Sequence, residues 1–201
     1  MNAVLFSPVP RTLAHSSLGF QTAWAGLLPC ERAVAEPGVA IPRTIETSRR
    51  LSEFDVVFAS LAWEPEVLPF VAALRASIIE PVRRLRDGSD PLVVAGGPVT
   101  LSNPDLLTPF CDAVFVGEAD GVFPAIRSAL SDAADRDDAL ARLAAIPGMF
   151  VPALAATDAC DVAPIQAPLD RLPARTTMPG EDNEFGGAFL VETGRGCPRK
   201  C

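Results

Sequence analysis

Four short runs of almost unbroken apolar residues constrain this chain more than any other feature of it. They are AVLFS at Ala3 to Ser7, DVVFASLAW at Asp55 to Trp63, PLVVAGGP around Leu92 to Ala95, and DAVFVGEADG around Ala113 to Val116. A strand exposed on one face alternates apolar and polar residues, whereas one that is apolar throughout needs cover on both faces. Each run is closed by proline, glycine or polar residues, which predicts a turn at its end.

The stretches between the runs carry helical spacing. Leu18 to Leu28 predicts a helix, weakened by Gly19 and Gly26. Val67, Phe70, Val71, Leu74, Ile78, Val82 and Leu85 recur at steps of three and four, which predicts one amphipathic helix with a kink or break at Pro81. Asn103 before Pro104 predicts an N-cap and a short helix carrying Leu106, Leu107 and Phe110. Val122, Phe123, Ile126 and Leu130 mark another helix, and Leu140 with Leu143 a further one, stopped at Pro147 and Gly148. Apolar strands alternating with amphipathic helices make βαβ units. The fold class expected is therefore α/β: a doubly wound, mainly parallel, Rossmann-like or flavodoxin-like sheet over residues 1–150. No internal repeat is evident.

Composition narrows the function classes. Seventeen Lys and Arg against twenty-five Asp and Glu leave a net charge of −8, which repels a polyphosphate backbone and argues against nucleic acid as a partner. The opening MNAVLFSPVPR lacks a basic leader region, and no apolar run approaches the roughly 18 residues that a spanning helix needs. A cytoplasmic protein with no membrane partner is the expectation. Five cysteines, with Cys30, Cys111 and Cys160 far apart, then read as buried thiols and not as a disulfide framework.

From Val151 to Phe185 the chain holds Pro152, Pro164, Pro168, Pro173 and Pro179 with little helical period, as an extended connection would. GGAFLVETGRGCPRKC follows, predicting a strand at Ala188 to Glu192 that enters a glycine-rich loop. In open parallel sheets, ligands lie beyond the carboxyl ends of the strands. The candidate cofactor-binding residues in the loops there are Ser60, Gly96, Gly97, Gly117 and Glu118, the glycines for close backbone approach and Glu118 as an acceptor for a ribose or amide. Glycine after a strand also serves simple turn geometry. There is no GxGxxG after the first strand, no GxxxxGK[ST], no GxSxG and no paired-carboxylate site, so no catalytic residue is assigned. His15, the only histidine, reads as a loop or capping residue.

Cys197 and Cys201 are the candidate metal ligands. Thiolates bind iron–sulfur clusters from closely spaced positions on one loop. Gly194 and Gly196 permit a tight path, while Arg195, Arg199 and Lys200 would favour the thiolate form and offset cluster charge. A pair of incidental free thiols is the alternative on spacing alone.

ETGRGCPRKC resembles the approach to the CxxxCxxC motif of radical S-adenosylmethionine (SAM) enzymes, with Cys197 and Cys201 at its first two cysteines and the third falling three positions past the end of this chain. EFDVVFASLAWE, PLVVAGGPVTLSNPDLL and DAVFVGEADGVF are similar to the cobalamin-binding-type Rossmann domain that precedes the barrel in many such enzymes. The resemblance implies a Rossmann-like domain at 1–150, a proline-rich linker at 151–185 and the start of a truncated radical SAM domain at 186–201, with the C-terminal barrel as the missing partner. It implies a [4Fe–4S] cluster and SAM in the full-length protein, reductive cleavage of SAM to a 5′-deoxyadenosyl radical, and an inactive fragment. Cobalamin is possible only without a histidine lower ligand, because LAHSSLG has Leu13 and Leu18 where the DxHxxG motif has Asp and Gly. The other reading is a non-catalytic Rossmann-like module that binds a small molecule or a partner.

Overall fold

The computed structural model describes residues 1–167, 174–178 and 183–195. Its centre is a six-stranded sheet built from β1 (Ala3–Ser7), β2 (Glu31–Val34), β3 (Val56–Ser60), β4 (Leu92–Gly96), β5 (Ala113–Phe115) and β6 (Met149–Phe150). The strand order is β2-β1-β3-β4-β5-β6; the first five strands are parallel and β6 runs antiparallel to β5. The helices are α1 (Arg11–Ser16), α2 (Leu18–Leu27), α3 (Val67–Ala76), α4 (Val99–Ser102), α5 (Phe123–Ser131) and α6 (Arg136–Ala144). The mixed α/β, Rossmann-like architecture expected from the apolar runs is the one observed. Chain direction across the sheet reverses between β1 and β3, which puts the topological switch point beside their carboxyl ends.

The apolar runs divide residue by residue between two cores. Ala3, Leu5, Val56, Phe58, Leu92, Val94, Ala113 and Phe115 point into a core closed by α1, α2, α5 and α6. Their neighbours Val4, Phe6, Val57, Ala59, Val93, Ala95 and Val114 point into a second core closed by α3 and α4. The two-residue period of a strand makes this division automatic.

Several local expectations change. Strand β2 went unseen because Glu31-Arg32-Ala33-Val34 carries a charged residue at a buried position. Arg32 is tolerated there because its Nε donates to Glu46 Oε1 (2.7 Å), its Nη1 reaches Met178 Sδ (3.3 Å), and its guanidinium lies over the Trp24 ring (4.6 Å). The helix expected from Val67 to Leu85, kinked or broken at Pro81, stops at Ala76, because Ile78 adopts a left-handed conformation (φ 62°). There the Ile79 N–H donates to Leu74 O (2.9 Å) and the Ile78 N–H to Arg75 O (3.0 Å), closing a Schellman turn. Asn103 makes no side-chain cap; its extended backbone (φ −154°) separates α4 from a single 3-10 turn at Pro104–Leu106. His15 is neither a loop nor a capping residue: it is buried in the last turn of α1, with Nε2 3.5 Å from Arg32 Nη1.

Just before β5, Asp112 ties the amino edge of the sheet together. Its Oδ2 accepts from the Val93 N–H (2.7 Å) and Arg86 Nη1 (2.8 Å), and its Oδ1 from Arg136 Nη2 (3.0 Å).

After a 3-10 turn at Pro152–Leu154, described residues beyond 150 pack on the sheet and helices. Ile165 pairs with the end of β5: its N–H donates to Val116 O (3.0 Å) and its carbonyl accepts from the Glu118 N–H (2.8 Å). Thr177 N–H then donates to Gln21 Oε1 (2.8 Å) on α2, and Met178 is buried in the first core. The strand predicted at Ala188 to Glu192 does not form as such; the segment makes an isolated antiparallel bridge between Val191 and Arg175, flanked by bonds from Thr176 N to Leu190 O (2.9 Å) and Glu192 N to Ala174 O (2.8 Å). We refer to residues 165–192 as the strap.

Gly26 shows why a glycine inside a helix need not weaken the fold. An added Cβ would lie 2.3 Å from Cδ2 and 2.9 Å from Cβ of Phe123, where α2 and α5 cross. Gly26→Ala gains about 1 kcal/mol in helix propensity, but overpacking typically costs about 1–3 kcal/mol. Urea unfolding is expected to show Gly26→Ala destabilised, with a favourable coupling to Phe123→Ala in a double-mutant cycle. A stabilised single variant would refute the contact.

Candidate functional site

The sequence-predicted cofactor residues separate into two groups along the carboxyl edge. Ser60, Gly96 and Gly97 form the first, because Ser60 of β3 stands opposite Gly96 of β4. Gly97 has φ +112°, and a Cβ there would come within 2.2 Å of the Leu61 carbonyl oxygen. The loop after β3 therefore packs directly on the Gly97 backbone: Leu61 N–H donates to Gly96 O (3.0 Å) and Thr100 Oγ1 to Gly97 O (2.9 Å). A Cβ on Gly96 would meet only ordinary contacts, the nearest at 3.8 Å.

Gly117 and Glu118 form the second group, at the end of β5. Gly117 has φ +120°, and a Cβ on it would lie 2.3 Å from Ile165 O and 2.4 Å from Ile165 N. The close approach that this glycine permits is made by the chain's own strap. Glu118 is engaged in the same way, accepting the Ala167 N–H at Oε2 (2.8 Å).

The same turn holds Arg195. Its Nη1 and Nη2 donate to Asp120 Oδ2 and Oδ1 (both 2.8 Å), its Nε and Nη2 to Glu192 Oε1 and Oε2 (2.6 and 3.0 Å), and Nη1 lies 3.3 Å from Glu118 Oε2. The side chain is only 19 % exposed. Its hydrogen bonds to Asp120 and Glu192 hold the guanidinium firmly in its charged form against the opposing effect of burial. In return, the hydrogen bond from Arg195 keeps the Glu192 carboxyl below its usual range. Arg195 was expected to lend positive charge to the cysteine pair. Among the described residues its guanidinium is bound by three carboxylates.

Cys197 and Cys201 lie outside the described residues, as do Arg199 and Lys200. Among the described residues no group of three or more His, Cys, Asp or Glu side chains comes together as a metal site. The other thiols are poor ligands. Burial first, then Glu46, pushes Cys30 up to about 12, and burial also raises Cys111 and Cys160. Cys30 and Cys111 are buried free thiols, as expected, and Cys160 is half-buried. No helix among the described residues is long and apolar enough to cross a membrane.

The family model of radical SAM proteins, N-terminal, matches residues 30–152, well over half of the chain. The chain belongs to this family. The matched stretch runs from the approach to β2 to just past β6, so this radical SAM N-terminal region contains both glycine groups and Asp120, and ends before the strap. An uncharacterized protein of Methanocaldococcus jannaschii, MJ0966, is 27 % identical over 157 residues, which are 78 % of this chain and 31 % of that protein. The chain thus spans about a third of that relative's length. No solved structure matches it.

Sequence reasoning missed Asp120 and Glu66 in this radical SAM N-terminal region, and Glu192 beyond it. Asp120 stood in view within GEADG, but nothing in a linear sequence pairs it with an arginine 75 residues later. Glu66 lies beside the switch point, in the loop after β3, and is 7 % exposed. Its Oε2 accepts the Ala62 N–H (2.7 Å). Burial raises its carboxyl above the ordinary 4.5, although hydrogen bonds from Ala62 and Trp63 oppose the shift.

A carboxyl raised by folding stabilises the fold fully below its unfolded value, and that contribution is lost as pH rises through the folded value. Glu66→Gln mimics the protonated form and keeps an acceptor for Ala62. Its unfolding midpoint is expected to match the parent well below pH 4.5 and to exceed it increasingly toward neutrality. Equal midpoints at neutral pH would show that the Glu66 carboxylate is adequately solvated.

Proposed function

We propose that this chain is the N-terminal part of a radical SAM iron–sulfur enzyme, with Cys197 and Cys201 as the first two ligands of a [4Fe–4S] cluster. The observation that carries the reading is the family match over residues 30–152, followed in the same chain by GRGCPRKC. The donor chemistry agrees, since the described thiols are spread apart with raised pKa values and the terminal pair alone has ligand spacing. A bound cluster with SAM would supply the one-electron reduction that starts radical chemistry. The chain's own share is to bind, orient and shield. On this reading residues 1–150 are a Rossmann-like domain, 151–185 a proline-rich linker, and 186–201 the beginning of the radical SAM domain, whose barrel is the partner that completes the enzyme. A cytoplasmic location belongs to the same reading.

Of the candidate small-molecule residues, Ser60, Gly96 and Gly97 stand nearest the switch point and are the ones we retain for a cofactor. Gly117 and Glu118 are assigned to holding the strap. The residues present do not fit a corrinoid held by histidine. His15 is 1 % exposed and faces Arg32, and Gly117 is covered by Ile165. We therefore propose no histidine-held corrinoid in this domain.

Two experiments test this. The gene product carried past codon 201, reconstituted anaerobically with iron and sulfide, is expected to show the broad visible absorption of thiolate-bound iron. Cys197→Ala or Cys201→Ala should abolish it, and an unchanged spectrum in either variant would remove that residue from the ligand set. Titration with hydroxocobalamin is expected to give no saturable spectral change; stoichiometric saturation would reinstate a corrinoid site.

A further inference from the structure

We infer that Arg195 is a positioning residue, which, gripped by Asp120 and Glu118 after β5 and by Glu192, fixes the path by which the chain arrives at Cys197. The inference rests on the reading of Cys197 and Cys201 as cluster ligands and adds to it the device that orients them.

The geometry is that of a clamp and not of a casual surface pair. All three guanidinium nitrogens are used, and the Asp120 pair is bidentate with both distances at 2.8 Å. A fork of this kind fixes direction as well as distance, which a lysine ammonium cannot do. The carboxylates are themselves anchored. Glu118 accepts the Ala167 N–H (2.8 Å), and Glu192 accepts the Ala174 N–H at Oε2 (3.1 Å). One array thus joins the turn after β5, two points of the strap and the segment before the cysteines. Gly194 precedes Arg195 and meets nothing within 4 Å of an added Cβ, so packing around that neighbour does not supply the restraint. One residue, Gly196, separates Arg195 from Cys197, and two steps along the chain reach at most about 7 Å.

The test uses the gene product carried past codon 201, as wild type, Arg195→Lys and Asp120→Asn, with two readouts. The first is hydrogen exchange at the Thr176, Leu190 and Glu192 amides. Loosening the array is expected to speed it about tenfold, with β1 amides and the unfolding midpoint unchanged, because local opening and global unfolding are separate events. The second is anaerobic release of iron to a chelator after reconstitution. Both variants should load the same iron as wild type and lose it about tenfold faster, the size expected for a lost charge-assisted bond. Arg195→Lys retains the charge, so a defect in that variant separates direction from electrostatics.

Unchanged exchange in both variants would overturn the clamp. Faster exchange with wild-type iron release would overturn its positioning role while leaving the cluster ligands standing. A wild-type protein that loads no iron would overturn the ligand reading itself, and this inference with it.

Discussion

Burying one sheet on both faces is the constraint on which the rest depends. Once β1, β3, β4 and β5 send alternate residues into two cores, no strand face is left for polar chemistry. Charged groups are displaced to the strand ends, and β5 shows this at both of its own. Asp112 stands immediately before it, bound by Arg86 and Arg136, and Glu118 and Asp120 follow it, bound to Arg195. An isolated buried carboxylate would be costly in either place, so each array must be satisfied by several donors. The amino-edge array closes the domain on itself. The carboxyl-edge array reaches outward along the chain.

This division bears on how the glycines are understood. Gly97 and Gly117 both adopt positive φ, and both sit where a ligand would be sought in an open parallel sheet. In each case another stretch of this chain occupies the space that the missing side chain leaves: Leu61 against Gly97 and Ile165 against Gly117. The carboxyl edge of the sheet is thus used, in part, to seat the chain's own continuation.

Much of the fold could be read from the amino acids because its signal is local and redundant. The apolar runs located β1, β3, β4 and β5, and helical spacing located α2, α5 and α6. What failed to show did so for definite reasons. Arg32 disguised β2, since a buried arginine is acceptable only with Glu46, Trp24 and Met178 around it, and Met178 is 146 residues away. The end of α3 was set by an isoleucine in a conformation that sequence patterns assign to glycine or asparagine. The site divided similarly. Cys197 and Cys201 announce themselves by spacing, whereas the array around Arg195 joins residues 118, 120, 192 and 195 and exists only in three dimensions.

On the proposed reading of Cys197 and Cys201 as cluster ligands, the placement of that array matters for the loop that would gather them. Ordering a residue's backbone costs roughly 1–2 kcal/mol, and a ligand loop that is free before binding must meet that cost when the cluster forms. Each anchor of the strap, at Ile165, Thr177, Leu190 and finally Arg195, meets part of it during folding of the first domain instead. Preorganisation of this kind strengthens binding without adding any contact to what is bound. A Rossmann-like domain with no ligand of its own would still have a reason to be joined to a cluster-binding segment: it is a rigid surface on which the last residues before the cysteines can be fixed in advance.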